Sequence, residues 1–244
     1  LPDPPVARSG AAAALDYLHQ SKSQTPLQPG AVAVQALIGG LETASVERQI
    51  SDAINDGYRA VKLKVAATDT ASDIERIDLA ISLSESQVLL RLDANGGWTK
   101  RQALAVLTSV EASRIALVEE PTSDPSNWGK IKEETGIRVA ADEHLTDRQQ
   151  IDRLIELEAA QTFVIKPSIL GGPPATRVIA ALAATNDIDI VISSFLDGPI
   201  ALRTARDLAL ELAPEQIHGL GTAPLFVEDL PQDVQPINGH LHRL

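Results

Sequence analysis

Two lysines one residue apart, Lys62 and Lys64 in the run Ala60-Val61-Lys62-Leu63-Lys64-Val65, begin a series of charged groups placed at the ends of apolar segments. The run from 88 ends at Asp93, the run from 115 at Glu119-Glu120, and the run from 137 at Asp142-Glu143. The run from 162 is followed by Lys166. Side chains alternate between the faces of a β-strand, so Lys62 and Lys64 share one face while Val61, Leu63 and Val65 share the other. Lysines at alternate positions ordinarily mark a solvated face. Acids recurring at the ends of three successive runs offer them partners instead. Asp93, Glu119 and Asp142 in one small volume would repel one another unless a cation bound them. Ligation by oxygen alone suits Mg²⁺ or Mn²⁺ rather than Zn²⁺. An amine beside other positive charges gives up its proton more readily and can serve as a general base. A fixed cation and a neutral amine are together the parts needed to take a proton alpha to a carboxylate and to stabilise the enediolate that results.

These groups need elements that bring them together. Near-continuous apolar runs separated by helical stretches are the mark of parallel strands covered on both faces. Eight such runs begin at about 31, 60, 88, 115, 137, 162, 189 and 217. Their spacing is close to one βα unit of ~30 residues. The predicted class is therefore α/β, a (β/α)8 TIM barrel, whose strands all deliver their carboxyl ends to one mouth. A doubly wound open sheet is the weaker alternative, because no G-x-G-x-x-G follows the first run. Residues 1–30 read as a helical lead-in, 31–224 as the barrel and 225–244 as a C-terminal segment. Helix punctuation fits this plan. Thr99 can cap a helix through Ala103 to Val110, Asp124-Pro125 can start another that Gly136 stops, and Thr146 can cap Asp147 to Leu157. Further helices are expected from Gly172 to Ala184 and from Asp197 to Leu212.

Composition narrows the partners. A net charge of -12 opposes binding to nucleic acid, and 3% aromatic residues offer no platform for stacked bases. With 44% hydrophobic residues and no apolar run long enough to span a bilayer, no membrane partner is expected. The absence of cysteine excludes disulfides and thiolate metal sites. No signal peptide is visible, so the expected compartment is the cytoplasm. The expected partner is a small-molecule carboxylate substrate. Nothing in the sequence fixes an oligomeric state.

The runs Lys62-Leu63-Lys64, Asp93-Ala94-Asn95-Gly96-Gly97-Trp98, Val118-Glu119-Glu120-Pro121, Ala141-Asp142-Glu143 and Ile165-Lys166-Pro167, in this order, resemble the barrel domain of the enolase superfamily, in its muconate lactonizing enzyme subgroup. Ser193-Ser194-Phe195-Leu196-Asp197 and His218-Gly219-Leu220-Gly221-Thr222 bring the chain nearest to the o-succinylbenzoate synthase family of menaquinone biosynthesis. The dipeptide epimerases usually carry an Asp-x-Asp where this chain has Gly219-Leu220-Gly221. The resemblance implies a Mg²⁺-dependent lyase that dehydrates 2-succinyl-6-hydroxy-2,4-cyclohexadiene-1-carboxylate. It implies that Lys64 is the base, that Lys62 supports the enediolate and that Lys166 stands opposite as a cation. Asp93, Glu119 and Asp142 would hold the metal, Glu119 being preferred over Glu120. Asn95, Ser193, Ser194 and Phe195 would lie near the substrate. Two other readings stand beside this one. In an N-acylamino-acid racemase or dipeptide epimerase, Lys64 and Lys166 would form a two-base pair. A barrel that binds metal but catalyses nothing is the third, because the α+β capping domain of such enzymes is not present in this chain.

Overall fold

The computed structural model describes residues 5–22, 29–84 and 88–243. Of the expected lead-in, residues 1–4 and 23–28 lie outside the described residues, as does residue 244 of the C-terminal segment. In chain order the elements are α1 (Pro5–Lys22), β1 (Gly30–Ala33), β2 (Ala36–Ile38), α2 (Thr43–Asn55), β3 (Ala60–Lys64), α3 (Thr70–Leu83), β4 (Leu89–Asp93), α4 (Lys100–Leu107), β5 (Ile115–Glu119), α5 (Trp128–Thr135), β6 (Val139–Ala141), α6 (Arg148–Glu156), β7 (Thr162–Ile165), α7 (Pro167–Leu170), α8 (Gly172–Ala184), β8 (Asp189–Ile192), α9 (Pro199–Leu212) and β9 (His240–Arg243). They divide into two compact units, Gln35–Phe163 and Leu1–Val34 with Val164–Leu244.

In the unit Gln35–Phe163, β2 to β6 and the first half of β7 lie side by side in chain order, all parallel. The register sets the chemistry in rows. Lys62 pairs with Arg91, and Lys64 pairs with Asp93, which in turn pairs with Glu119. Glu119 pairs with Ala140, two residues before Asp142. Val61, Leu63, Leu92 and Val118 are fully buried, as expected of parallel strands with both faces covered. Helix α2 turns Val46, Ile50 and Ala53 inward, four and three residues apart, and α6 does the same with Ile151 and Leu154. Thr99 caps α4 in a full capping box with Gln102. Gly136 ends α5 in the left-handed region at φ 71°. The cap of α6 is Asp147 rather than Thr146. Its carboxylate accepts from Gln150 N at 3.0 Å, and the helix starts one residue later than expected.

The unit Leu1–Val34 with Val164–Leu244 corrects both ends of the predicted strand series. The first run, expected as one strand, makes β1, which pairs antiparallel with β9 (Gly30 opposite Arg243), and ends its bridging at Val34. The segment after Val34 belongs to the other unit, where β2 runs parallel to β3. Strand β9 carries His240, His242 and Arg243 and gives no apolar signal to find it by. The last run, 217–219, forms isolated parallel bridges, His218 to Val34 and Gly219 to Ser193, rather than a strand. Gly219 at its end provides no side chain to pack on a pleat, and Gly221 follows two residues on. His218 is fully buried. Its Nδ1 accepts from Ile192 N and its Nε2 donates to Ala213 O, both at 3.0 Å, which fixes a neutral imidazole. Helix α1 packs on α7 and α8, and Gly171 N donates to Ser9 Oγ at 3.0 Å. Among the described residues no helix is long and apolar enough to cross a membrane.

The loop after β4 passes close to the end of β3. A Cβ on Gly97 would stand 2.9 Å from Ala66 Cβ and 3.0 Å from Ala94 O, so only glycine fits without a shift. Gly97→Ala should destabilise the fold by about 1–3 kcal/mol through overpacking, read as a lower urea midpoint at unchanged m-value.

Candidate active site

Lys62 is the centre of the charged row in the unit Gln35–Phe163. Its Nζ lies 2.9 Å from Glu119 Oε2 and 3.0 Å from Asp93 Oδ2. Burial alone would lower its pKa, but Glu119, Asp93 and Asp142 outweigh burial and hold the ammonium well above its ordinary range. Asp93 is pushed up by burial and pulled down more strongly by Lys62 and Lys64, so its carboxyl stays below the usual range. Glu119 is fully enclosed, and burial raises its pKa against the pull of Lys62.

Lys64, at the end of the same strand, is one-third exposed. Its Nζ donates to Asp93 Oδ2 at 2.7 Å and to Asn95 Oδ1 at 2.8 Å. Asn95 adopts the left-handed region at φ 46°, which Asn tolerates. This turns its amide so that Nδ2 donates to Glu143 Oε1 at 2.8 Å. Lys62, Lys64, Asp93, Asn95 and Glu119 thus form one contact chain. Asp142 is buried and close enough to act on Lys62 electrostatically.

The expected single cluster of three carboxylates is not what these side chains form. Among the described residues, no three or more His, Cys, Asp or Glu side chains are grouped to hold a metal ion. Bare carboxylates repel, and here the Lys62 ammonium sits between two of them. The donor chemistry still suits a hard divalent cation. The side chains are oxygen-only, they lie at consecutive strand ends, and two of them are in direct register.

Glu120 has a role that the apolar-run reading missed. At φ 44° it is left-handed, turning the chain directly after Glu119. Its buried Oε1 accepts from Asp142 N at 2.8 Å and His144 N at 3.1 Å, and its Oε2 lies 2.6 Å from His144 Nδ1. The His144 ring stands edge-on to Trp128, with centroids 5.4 Å apart. Glu119 therefore faces the lysines, while Glu120 holds the backbone that carries Asp142. Adjacent acids ending a buried strand face opposite ways, and that was the available signal.

The remaining candidates lie in the unit Leu1–Val34 with Val164–Leu244. Lys166 is buried at the end of β7, with its Nζ 4.5 Å from the centroid of the Phe195 ring. Phe195 is otherwise 46% exposed. The hydroxyls of Ser193 and Ser194 both donate to Gly219 O, at 3.3 and 3.2 Å, and Ser194 Oγ also lies 3.0 Å from Thr222 Oγ1. These hydroxyls tie β8 to the 218–222 segment.

Comparison with known proteins places this geometry. The family model described as enolase C-terminal domain-like matches residues 45–243. The o-succinylbenzoate synthase of Mycobacterium ulcerans (strain Agy99) is 30% identical over 243 residues, which cover 98% of this chain and 71% of that protein. Muconate cycloisomerase from Pseudomonas fluorescens superposes with a TM-score of 0.84 at 23% identity, over 97% of this chain and 69% of its own. The substrate-liganded L-Ala-D/L-Glu epimerase from Bacillus subtilis superposes with a TM-score of 0.75 at 24% identity, over 82% of this chain. The chain spans little more than half, 56%, of that epimerase. The last two likenesses are likenesses of fold.

Replacing Glu120 should separate its acceptor role from its charge. Glu120→Gln keeps an oxygen for the two backbone N–H groups and should cost little. Glu120→Leu leaves buried donors unpaired, at about 1–3 kcal/mol each, and should lower the urea midpoint clearly below that of Glu120→Gln.

Proposed function

Because the chain belongs to the enolase C-terminal domain-like family, we propose that it is the barrel domain of an o-succinylbenzoate synthase, a hydro-lyase acting in the cytoplasm in menaquinone biosynthesis. The proposed reaction is the syn-dehydration of 2-succinyl-6-hydroxy-2,4-cyclohexadiene-1-carboxylate to o-succinylbenzoate. The observation that carries this reading is the contact chain at the ends of β3 and β4. One lysine is locked between two carboxylates, and a second lysine, nearer solvent, is held only at its tip. The 30% identity to a protein named for this activity supports the choice of substrate.

In this mechanism Lys64 Nζ takes the proton alpha to the substrate carboxylate, and the C–H electron pair moves into an enediolate. The same amine, now an ammonium, returns that proton to the departing hydroxyl. The C–O bond breaks, water leaves and the ring becomes aromatic. Lys62, whose Nζ is engaged by Glu119 on one side and Asp93 on the other, takes the supporting role. It serves as a fixed positive charge below the reacting carbon. Asp93, Glu119 and Asp142 are the residues that would hold Mg²⁺, which when bound supplies positive charge where the oxyanion develops. Lys166 contributes a second cation, and Asn95, Ser193, Ser194 and Phe195 contact the substrate.

The alternative, an N-acylamino-acid racemase or dipeptide epimerase with Lys64 and Lys166 as paired bases, draws on the fold likeness to the epimerase. The sequence Gly219-Leu220-Gly221 counts against it, since it lacks acids to hold an amino group. Assaying both substrate types on one preparation separates the two. Under the dehydratase reading, only o-succinylbenzoate forms.

Lys64→Ala and Lys64→Arg should each lower dehydration by at least about 10²-fold, because guanidinium keeps the charge but does not accept a proton. Mg²⁺ binding, followed by calorimetry, should persist in both. A near wild-type rate in Lys64→Arg would remove Lys64 as the base. Asp142→Asn should instead weaken Mg²⁺ binding, followed by the same calorimetry, and leave the fold intact by urea titration, since it removes the charge of one proposed ligand while keeping the side chain's shape.

A further inference from the structure

An ion pair outside the charged row fixes the backbone on which that row is built. Asp73 and Arg76, one turn apart on α3, are both essentially inaccessible to solvent and bond to each other at 2.5 Å. Among the described contacts, neither bonds to the side chain of Lys62, Lys64, Asp93, Asn95 or Glu119. Their remaining bonds go to the segments that carry those residues. Arg76 Nη1 donates to Lys64 O at 2.9 Å and to Gly40 O, just beyond β2, at 3.1 Å. Asp73 Oδ2 accepts from Ala66 N at 3.0 Å and from Trp98 Nε1 at 2.9 Å. Arg76 Nη2 also reaches Thr68 Oγ1 at 3.4 Å.

The pair therefore grips the chain on both sides of its exit from β3, at the carbonyl of Lys64 and the amide of Ala66. Between those bonds the chain reverses, with Ala66 at φ 63°, a conformation an alanine adopts only when its surroundings impose it. Through Trp98 the same carboxylate holds the far end of the loop that starts at Asp93 and includes Asn95. Both residues that hold the Lys64 ammonium thus stand on a segment tied to Asp73, while the Lys64 backbone is tied to Arg76.

A buried ion pair is an inefficient way to stabilise a core. Apolar residues of equal volume often do as well or better. This pair also leaves Arg76 Nε buried with no partner among the described residues. What it provides that apolar side chains cannot is directional bonding to chosen backbone groups. We propose that Asp73 and Arg76, acting through Trp98, are positioning residues that set the Lys64 amine relative to Asp93 and Asn95. The proposal rests on the reading of Lys64 as the base.

The test compares Arg76→Lys and Trp98→Phe with Ile131→Val, a core variant in α5 remote from these contacts, all in the full chain. Trp98→Phe keeps an aromatic side chain and removes the indole N–H together with part of the ring volume, a packing loss for which Ile131→Val is the control, so it remains informative if Arg76→Lys folds poorly. Turnover, urea midpoint and deuterium exchange at the Ala66 amide are measured for each. Both tether variants should exchange Ala66 faster and lose about tenfold or more in kcat, since a small misplacement of a catalytic group is that costly. Their KM should stay within about twofold, as expected when chemistry rather than binding is disturbed. Ile131→Val, matched in lost stability, should keep its kcat. The proposal is overturned if kcat merely follows the urea midpoint across all three, if Ala66 exchange is unchanged, or if Ala66 exchanges faster while kcat holds. Absence of wild-type dehydration would sink the dehydratase reading alone. The tether would then be judged by Mg²⁺ calorimetry, where weaker binding in Trp98→Phe than in Ile131→Val supports it and equal binding overturns it.

Discussion

The Lys62 ammonium, held between Glu119 and Asp93 in a nearly dry interior, is the interaction on which the rest of this arrangement depends. An isolated ammonium in such a place would cost several kcal/mol and would shed its proton. Two carboxylates at 2.9 and 3.0 Å reverse that preference. The same contact sets limits on the backbone. Lys62 reaches both acids only if β3, β4 and β5 are parallel and in the register observed, since a one-residue slip would turn one partner to the opposite face. Charge pairing and strand register therefore specify each other.

Around that pair, buried acids at the strand ends and on α3 are used in two distinct ways. Glu119 and Asp93 face the lysines, whereas Glu120 and Asp73 face away and accept backbone N–H groups from neighbouring loops. Glu120 links the end of β5 to the loop after β6, and Asp73 links the loops after β3 and β4. Each is almost wholly buried and each has several donors, the condition under which a buried carboxylate is tolerated. Loops that carry reactive groups gain rigidity in this way without lengthening any strand. The left-handed residues Ala66, Asn95 and Glu120 all lie at these junctions, where the surrounding bonds hold conformations that local preference disfavours.

The unit containing Lys166 handles its polar groups differently. The Phe195 ring meets the Lys166 ammonium, and the hydroxyls of Ser193 and Ser194 converge on one carbonyl. The negative face of an aromatic ring attracts a cation placed over it. The serines brace β8 against a segment too rich in glycine to form a strand of its own.

The sequence by itself determined which groups are charged, where along each strand they fall and which face they share. Period-2 alternation and apolar runs of five or so residues are local properties, so the strands from 60 to 64, 89 to 93, 115 to 119 and 162 to 165 could be read directly. The lysines and acids at their ends were legible for the same reason. So was the cap at Thr99, since a capping box lies within four residues. What the sequence did not reveal depends on contacts between distant segments. The division of the first run into β1 and β2 depends on a partner, β9, that lies some two hundred residues away and has no apolar pattern. The roles of Glu120, Asp73 and Arg76 depend on which backbone groups face them across loops. Tertiary structure also decided that Lys62, and not a cluster of bare carboxylates, occupies the middle of the row. Alternation fixes the face of a side chain, but only the packing of neighbouring strands brings an ammonium within 3.0 Å of two acids at once.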